Sequence, residues 1–107
     1  MERPWDEVTG QDPAAVAGVL SALGNPVRVR ILTTLVQGPA STGDLGERVA
    51  EGTSGQLFHH LKELLACGVV HQPQRGTYAL RPQHVLPLLA VFSAAMDLAA
   101  TVDGASP

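Results

Sequence analysis

Apolar residues recur at helical spacing along the first half of the chain, and each repeat begins and ends at residues that favour a helix terminus. Asp12-Pro13 and Asn25-Pro26 each combine an N-capping side chain with a proline suited to the first helical position. They predict two helices, the first ending at Gly24 and the second at Gly38-Pro39. The repeating apolar residues are Val16, Val19, Leu20 and Leu23 in the first helix and Val27, Ile31, Leu32 and Leu35 in the second.

Two further helices are predicted close together. Ser41 caps a short third helix, with Asp44 at the N3 position and Leu45 and Val49 facing inward. Thr53, with Gln56 three residues later, predicts a capping box for a fourth helix that ends at Gly68. A step of about 100° per residue places one apolar stripe on this fourth helix. The stripe contains Leu57, Phe58, Leu61, Leu64 and Leu65.

The second half of the chain predicts two strands and a last helix. Residues 69–72 and 77–80 are typical of strands around Gln74-Arg75-Gly76, and an apolar helix runs from about Val85 to Val102. Pro87 is tolerable only in its first turn and otherwise bends it. The order is four helices, two strands and a helix, in which helices three and four form a tight helix-turn-helix. We expect a flexible arm over 1–11, one domain over 12–102 and a flexible tail over 103–107.

Charge is unevenly distributed along the 107 residues, which are enough for one domain. The formal net charge is −3, but residues 25–81 carry +2, residues 1–24 carry −3 and residues 82–107 carry −2. Apolar residues make up 45% of the chain, enough for a core. The mildly basic middle segment permits binding to phosphates, with weak affinity that falls quickly with salt.

Compartment follows from the single cysteine. Cys67 excludes an internal disulfide, which fits a reduced cytoplasmic setting. Its thiol is interpreted either as a redox sensor or as a small side chain packed beside Gly68. The N-terminus lacks the apolar region of a signal peptide, and no uninterrupted apolar run is expected to span a membrane.

The outward face of the fourth helix is rich in hydrogen-bond donors and predicts an approach to DNA bases, with the hairpin behind it as a wing. Gln56 either reads adenine or is used in the capping box. Backbone amides at the start of this helix would approach a phosphate, and ordinary helix capping can hold at the same time. For the histidines, the alternative to DNA contact is a solvated polar face. The candidate DNA-binding residues are Ser54, Gly55, Gln56, His59, His60, Lys62 and Arg75.

Cations near this face have positioning roles in the prediction. Lys62 and Arg75, the latter at the wing tip, are expected to meet phosphates. Arg28 and Arg30 are open to two interpretations. They contact phosphate, or one of them pairs with a carboxylate on the first or third helix.

Several motifs together resemble the ArsR/SmtB family of winged helix-turn-helix repressors. The motifs are the run from Leu20 to Arg28, the Ile31-Leu32 pair with Leu35 and Gly38-Pro39, the run from His59 to Leu64, and Gly68-Val69-Val70. The resemblance covers roughly residues 14–100. It implies a homodimer formed by the first and last helices, repression from a palindromic operator, and release of DNA when an effector binds.

The metal sites of that family do not carry over. One uses cysteines at the start of the third helix, where residues 40–44 have no thiol. Another uses carboxylates and histidines along the last helix, where His84 stands alone, Pro82 replaces the upstream carboxylate, and Ala95 and Leu98 occupy the downstream positions. Zinc needs three or four donors. We therefore predict no metal and no other cofactor, and leave a small molecule or a protein as the effector.

The last helix is apolar nearly all round, so it must be buried all round. The spacing predicts that Leu86, Leu89, Phe92 and Met96 face the core and that another apolar face pairs with the first helix of a second copy. An apolar ligand groove and a membrane-lying helix are alternatives, although the basic flanks of the latter are missing. The candidate dimer-interface residues are Val16, Val19, Leu20, Leu88, Val91, Ala95 and Leu98.

Together these features predict a DNA-binding repressor with double-stranded DNA and a second copy as partners. The alternative is a winged-helix protein-interaction module that needs a partner subunit, which the acidic total charge and sparse wing favour. An enzyme is not expected, because outside the two histidines no base accompanies a nucleophile and no paired carboxylates or phosphate-binding glycine loop are found.

Overall fold

The computed structural model describes residue 10 and residues 12–49 and 54–102. Five helices and three strands follow one another within them: α1 (Pro13–Leu23), α2 (Pro26–Val36), β1 (Ala40–Ser41), α3 (Thr42–Val49), α4 (Ser54–Ala66), β2 (Val70–Gln74), β3 (Thr77–Leu80) and α5 (Pro82–Val102). The predicted order of helices and hairpin is confirmed, with β1 as an addition. The predicted Thr53 cap, the tail and the arm apart from Gly10 lie outside the described residues.

Side-chain caps open the first three helices, as the sequence predicts. The Asp12 carboxylate accepts a hydrogen bond from the Ala14 N–H at 3.0 Å. The Asn25 side-chain oxygen accepts two, from the N–H groups of Val27 at 2.8 Å and Arg28 at 3.3 Å. Ser41 Oγ accepts from the Asp44 N–H at 3.1 Å. These oxygens satisfy N–H groups that have no partner inside the helix.

The core forms where the apolar stripes of α2, α3 and α4 meet the inner face of the sheet. Most of the predicted inner positions are confirmed, with Val27 and Leu65 only partly buried. Seven side chains are at most 2% exposed and mark its centre: Ile31, Leu32, Leu45, Leu61, Leu64, Val49 and Val70. The helices are therefore held by aliphatic packing, consistent with a chain that has few aromatic residues.

The wing is part of a three-stranded antiparallel sheet in the order β1-β3-β2. Ala40 pairs with Tyr78 and Ser41 with Thr77, which joins the segment before α3 to the hairpin. The Thr42 N–H donates to the Gly76 carbonyl at 3.0 Å. The sequence did not predict β1, because two residues are too short to show alternation and the strand exists only through its partner.

The hairpin turn is tighter than predicted. Gln74 pairs with Thr77, so only Arg75 and Gly76 lie in the turn, and Gly76 has a φ of 78° that side chains disfavour. The strand β2 continues through Pro73, beyond the predicted end at Gln72. A proline is tolerated there because β2 is an edge strand, where a missing N–H need not break a ladder.

The helix α5 differs from the prediction in its first residue and in the face that packs against the core. It begins at Pro82, so Pro87 lies in the second turn of an unbroken helix. Leu88, predicted at the dimer interface, is 5% exposed and packs in the core, with Phe92 partly buried against it. Leu86, Leu89 and Met96, predicted inside, are 75%, 42% and 72% exposed. Since α5 is apolar on most sides, spacing alone could not choose the face, and packing against the domain did.

The length of α5 also revises the membrane expectation. Its 21 residues are long and apolar enough to cross a membrane, and only 6% of its most apolar 18-residue window is buried in the chain. Within the described segments α1 and α2 meet that criterion only as a pair, and they are bent by 86°. Core helices of soluble proteins meet the same criterion of length and hydropathy. The exposed apolar surface of α5 is therefore compatible with a membrane or with a protein partner.

Candidate nucleic-acid interface

The helix α4 separates a buried side from an exposed polar side. Leu57, Leu61 and Leu64 lie in the core. A Cβ added at Gly46 of α3 would lie 3.9 Å from Leu57 Cδ2, so the helix before the turn packs closely on this side. The opposite side of α4 is exposed and carries Gly55, Gln56, His59, Lys62 and Glu63. The structure therefore brings most of the candidate DNA-binding residues onto one outward surface, which we call the α4 face.

Phe58 departs from the predicted apolar stripe, because its side chain is 50% exposed. It lies about 60° from Leu61 by helical stepping, at the edge of the stripe. The core closes around Leu57, Leu61 and Leu64 and leaves the ring outside. Sequence periodicity missed this because an apolar residue at the edge of a stripe is compatible with either environment.

His60 lies beside the α4 face but makes a bond within the protein. Its imidazole Nδ1 accepts a hydrogen bond from Arg28 Nε at 3.0 Å, and Arg28 also donates through an Nη nitrogen to the Ala22 carbonyl at 3.3 Å. Arg28 thus joins α1, the start of α2, and α4. Within the described residues Arg28 therefore engages an imidazole and a carbonyl, not a carboxylate, and its contact with a phosphate stays a prediction.

This bond defines the protonation state of His60. An Nδ1 that accepts a hydrogen bond belongs to a neutral ring with its proton on Nε2. Partial burial lowers the pKa of His60 below its ordinary value of 6.5, and the positive charges of Arg28 and His59 lower it further. His60 can therefore donate only from Nε2. Its ring meets that of His59 edge to face, with the centroids 5.6 Å apart.

The remaining candidate residues lie in the hairpin turn, at the start of α4 and on α2. Arg75 is exposed in the β2–β3 turn, as expected for a wing tip. Ser54 begins α4, although its side chain is outside the described part. Arg30 donates to the Val49 carbonyl at 3.5 Å, which ties α2 to the end of α3. Nothing in the chain alone tests whether the α4 face contacts DNA, and that assignment stays a prediction.

A second exposed surface is apolar. Val16, Val19 and Leu20 of α1 are 42–52% exposed, and Leu98 of α5 is 65% exposed. Every residue from 93 to 102 is exposed. Side chains of α1 and α5 border the same grooves, one of about 510 Å³ between Leu20 and Ala95. We call the exposed apolar side chains of these two helices the α1–α5 surface.

Cys67 and His84 line one small cavity of about 240 Å³ beside that surface. The Cys67 thiol is half-buried and donates to the Leu64 carbonyl at 3.4 Å. His84 Nδ1 is buried and has no hydrogen-bond partner within the described ranges. Among the residues that the structure describes, no three His, Cys, Asp or Glu side chains come together to hold a metal ion. The half-buried thiol fits the interpretation of Cys67 as a small side chain packed beside Gly68.

A helix-turn-helix followed by a β-hairpin, with an exposed donor-rich second helix, defines the winged-helix class of DNA-binding proteins. Comparison with known proteins agrees. Residues 16–85 match a family described as a domain of unknown function, DUF7347. The chain is 37% identical over 90 residues to the HTH-type transcriptional regulator NmtR of Mycobacterium tuberculosis, covering 81% of this chain and 74% of that protein.

Solved structures show the same relationship. The transcriptional repressor BigR from Xylella fastidiosa is 25% identical, with a TM-score of 0.71 over 86% of this chain and 96% of its own. Rv0081 from M. tuberculosis is 27% identical, with a TM-score of 0.72 over 90% and 100%. The chain belongs to the DUF7347 domain family and to the ArsR/SmtB family of winged helix-turn-helix, DNA-binding transcriptional regulators.

Proposed function

We propose that this protein is a homodimeric repressor that binds a palindromic operator through the α4 faces of its two copies. The observation that carries the proposal is the contrast between two exposed surfaces. The α4 face is polar and donor-rich, whereas the α1–α5 surface is apolar. The first suits a DNA groove and the second suits a protein.

On DNA, the first two turns of α4 enter the major groove of each half-site. Gln56 and His59 approach the base edges, because they stand on the exposed side near the start of the helix. Lys62 and Arg75 meet phosphates and position the domain, while the amides of Ser54 and Gly55 approach a phosphate from the helix start. His60 donates from Nε2 to the DNA backbone, while its Nδ1 accepts the hydrogen bond from Arg28.

The second copy covers the α1–α5 surface. A monomer that left Leu20 and Leu98 half or more in water would expose an apolar patch of the kind that marks interfaces. The family resemblance implies pairing through these same two helices. Two-fold symmetry then sets half-sites about one helical turn of DNA apart, or a small multiple of it.

Regulation proceeds without the metal sites of the family. His84 has no nearby set of donors in the described part of the chain, and residues 40–44 contain no thiol. We place the effector, a small molecule or a protein, outside metal chemistry. The protein acts in the cytoplasm, has DNA rather than a membrane as its partner, and is a regulator rather than an enzyme.

The test combines mass and binding. Sedimentation gives the mass of the full chain, and selection from a random duplex library gives its preferred DNA, whose affinity is then measured at low and high salt. The Gln56→Ala, His59→Ala double variant should lose preference for the selected site and keep the dimer mass. Gln37→Ala, exposed at the end of α2, is the matched control and should behave as wild type.

Each arm has a result that contradicts the proposal. Selection that enriches no sequence, from a chain that sediments as a monomer, would favour the partner-dependent interaction module instead. An unchanged preference in the double variant would remove α4 as the reading helix. A dimer that survives Leu98→Asp, which places a charge on the α1–α5 surface, would remove that surface as the interface.

A further inference from the structure

Phe58 is the exception among the exposed apolar side chains. Every other large hydrophobic residue that is exposed in the described segments lies on α1 or α5. Phe58 lies on α4 and is 50% exposed. It therefore has no part in the α1–α5 surface. One of the chain's two phenylalanines therefore has half of its surface open to a partner that approaches α4.

The position of Phe58 on α4 indicates what meets the ring. Residues three and four apart share a helix face, so Phe58 stands between Gly55 and Lys62 and borders the α4 face. Gly55 has no side chain to block an approach from the helix start. Lys62 is exposed one turn beyond and is suited to a phosphate. Among the residues that the structure describes, the ring is thus the one exposed large apolar group on α4.

The major groove presents one apolar group to such a ring, the C5-methyl group of thymine. Cytosine has only a hydrogen at C5, and adenine and guanine present no methyl group along the same edge. A protein partner for Phe58 would have to match a neighbourhood of imidazole, amide and ammonium groups. DNA matches both, because its phosphates suit Lys62 and a thymine methyl suits the ring.

We propose that Phe58 is a specificity-determining residue that contacts the C5-methyl group of one thymine in each operator half-site. This inference rests on the proposed function, since it needs α4 in the major groove. It goes further by assigning a base preference to a side chain that periodicity placed in the core. The preference is for a methyl group and not for a hydrogen-bond pattern.

The test removes that methyl group and nothing else. Full-length protein is bound to its library-selected duplex, and each thymine of a half-site is replaced in turn by deoxyuridine, which keeps all hydrogen-bonding groups. For wild type, one of these single replacements in a half-site should raise Kd about fourfold, the value of one buried methyl group. For Phe58→Ala, the thymine and deoxyuridine duplexes should bind equally.

Two further variants keep the result specific. His59→Ala should bind more weakly but retain the fourfold discrimination, because the methyl contact is left in place. Phe58→Leu should retain part of it, since leucine is also apolar. The melting temperature of Phe58→Leu shows whether this variant is folded. It replaces Phe58→Ala in the test if the alanine variant is unstable.

The outcomes separate this inference from the proposed function. Wild-type protein that binds its selected site but shows no thymine dependence overturns the role of Phe58 and leaves the repressor proposal intact. Discrimination that persists in Phe58→Ala also overturns it, because another side chain then reads the methyl group. A loss of dimer mass in Phe58→Ala assigns the ring to a protein contact instead. Failure to select any sequence removes the proposed function itself.

Discussion

The helices α4 and α5 differ in the chemistry of the side chains that they expose. The α4 helix buries three leucines and turns imidazole, amide and ammonium groups outward. The α5 helix buries Leu88 and leaves leucine, valine and methionine side chains outward. Polar groups in water are satisfied without a partner, whereas apolar groups in water are not. The outward side chains of α4 are thus mostly satisfied by water, whereas those of α5 form an apolar surface of the kind that marks an interface.

A pair of substitutions in α5 tests this contrast with the largest expected effect. Leu88→Ala should lower the free energy of unfolding by about 2–5 kcal/mol, because a buried leucine leaves a cavity. Leu98→Ala should change the stability of the single chain little and instead lower stability at high protein concentration, where the wild type is a dimer. Urea unfolding at low and high concentration measures both. Equal losses at every concentration would place Leu98 in the core of one chain.

The Arg28–His60 bond, which attaches α4 to the helices behind it, has the next largest effect. Arg28→Leu should cost about 1–3 kcal/mol of unfolding free energy, because His60 Nδ1 loses its donor in a partly buried site. Arg28→Lys should recover only part, since lysine lacks the fork that reaches both His60 and Ala22. A double-mutant cycle with His60→Leu measures the coupling. A coupling energy near zero would show that the bond contributes nothing.

The two proline-initiated helices offer a smaller comparison. Asn25→Ala should cost about 1 kcal/mol, because two N–H groups lose an acceptor. Asp12→Ala removes one exposed bond at the matching position of α1 and should cost less. Thermal unfolding of both variants measures the difference, and Asn25→Ser is the control that keeps a capping oxygen. A larger loss for Asp12→Ala would reverse the assigned order of the caps.

The smallest expected effect is on pH dependence. The pKa of His60 is lowered in the folded chain, so the unfolded chain takes up a proton first as pH falls. Its stabilising contribution is complete above the ordinary pKa of 6.5 and declines as pH falls from there towards the folded value. His60→Gln, which keeps an acceptor for Arg28 but does not titrate, should show a shallower loss of melting temperature between neutral and mildly acidic pH. Parallel curves for wild type and variant would argue against this linkage.

Local signals predicted the elements more reliably than their faces. Asn25-Pro26 and Ser41 located helix starts because a cap acts within three residues of its own position. Phe58 and Leu88 were placed on the wrong sides because each belongs to a run with apolar residues on neighbouring positions. In such runs several faces satisfy the same periodicity. The exposed positions of Gln56, His59 and Lys62 were predicted correctly, because these side chains are clearly polar. Their contact with DNA stays a prediction.

The starts of α1, α2 and α3, the hairpin and the donor-rich side of α4 could be predicted from the sequence, because capping, turn geometry and strong polarity are encoded over a few residues. Three features arise only in the folded chain: β1 pairs with β3, Arg28 engages His60 thirty-two residues away, and one particular face of α5 is buried. These depend on contacts between distant segments. Such contacts form wherever packing and hydrogen bonding are best satisfied together, and no local pattern records that outcome.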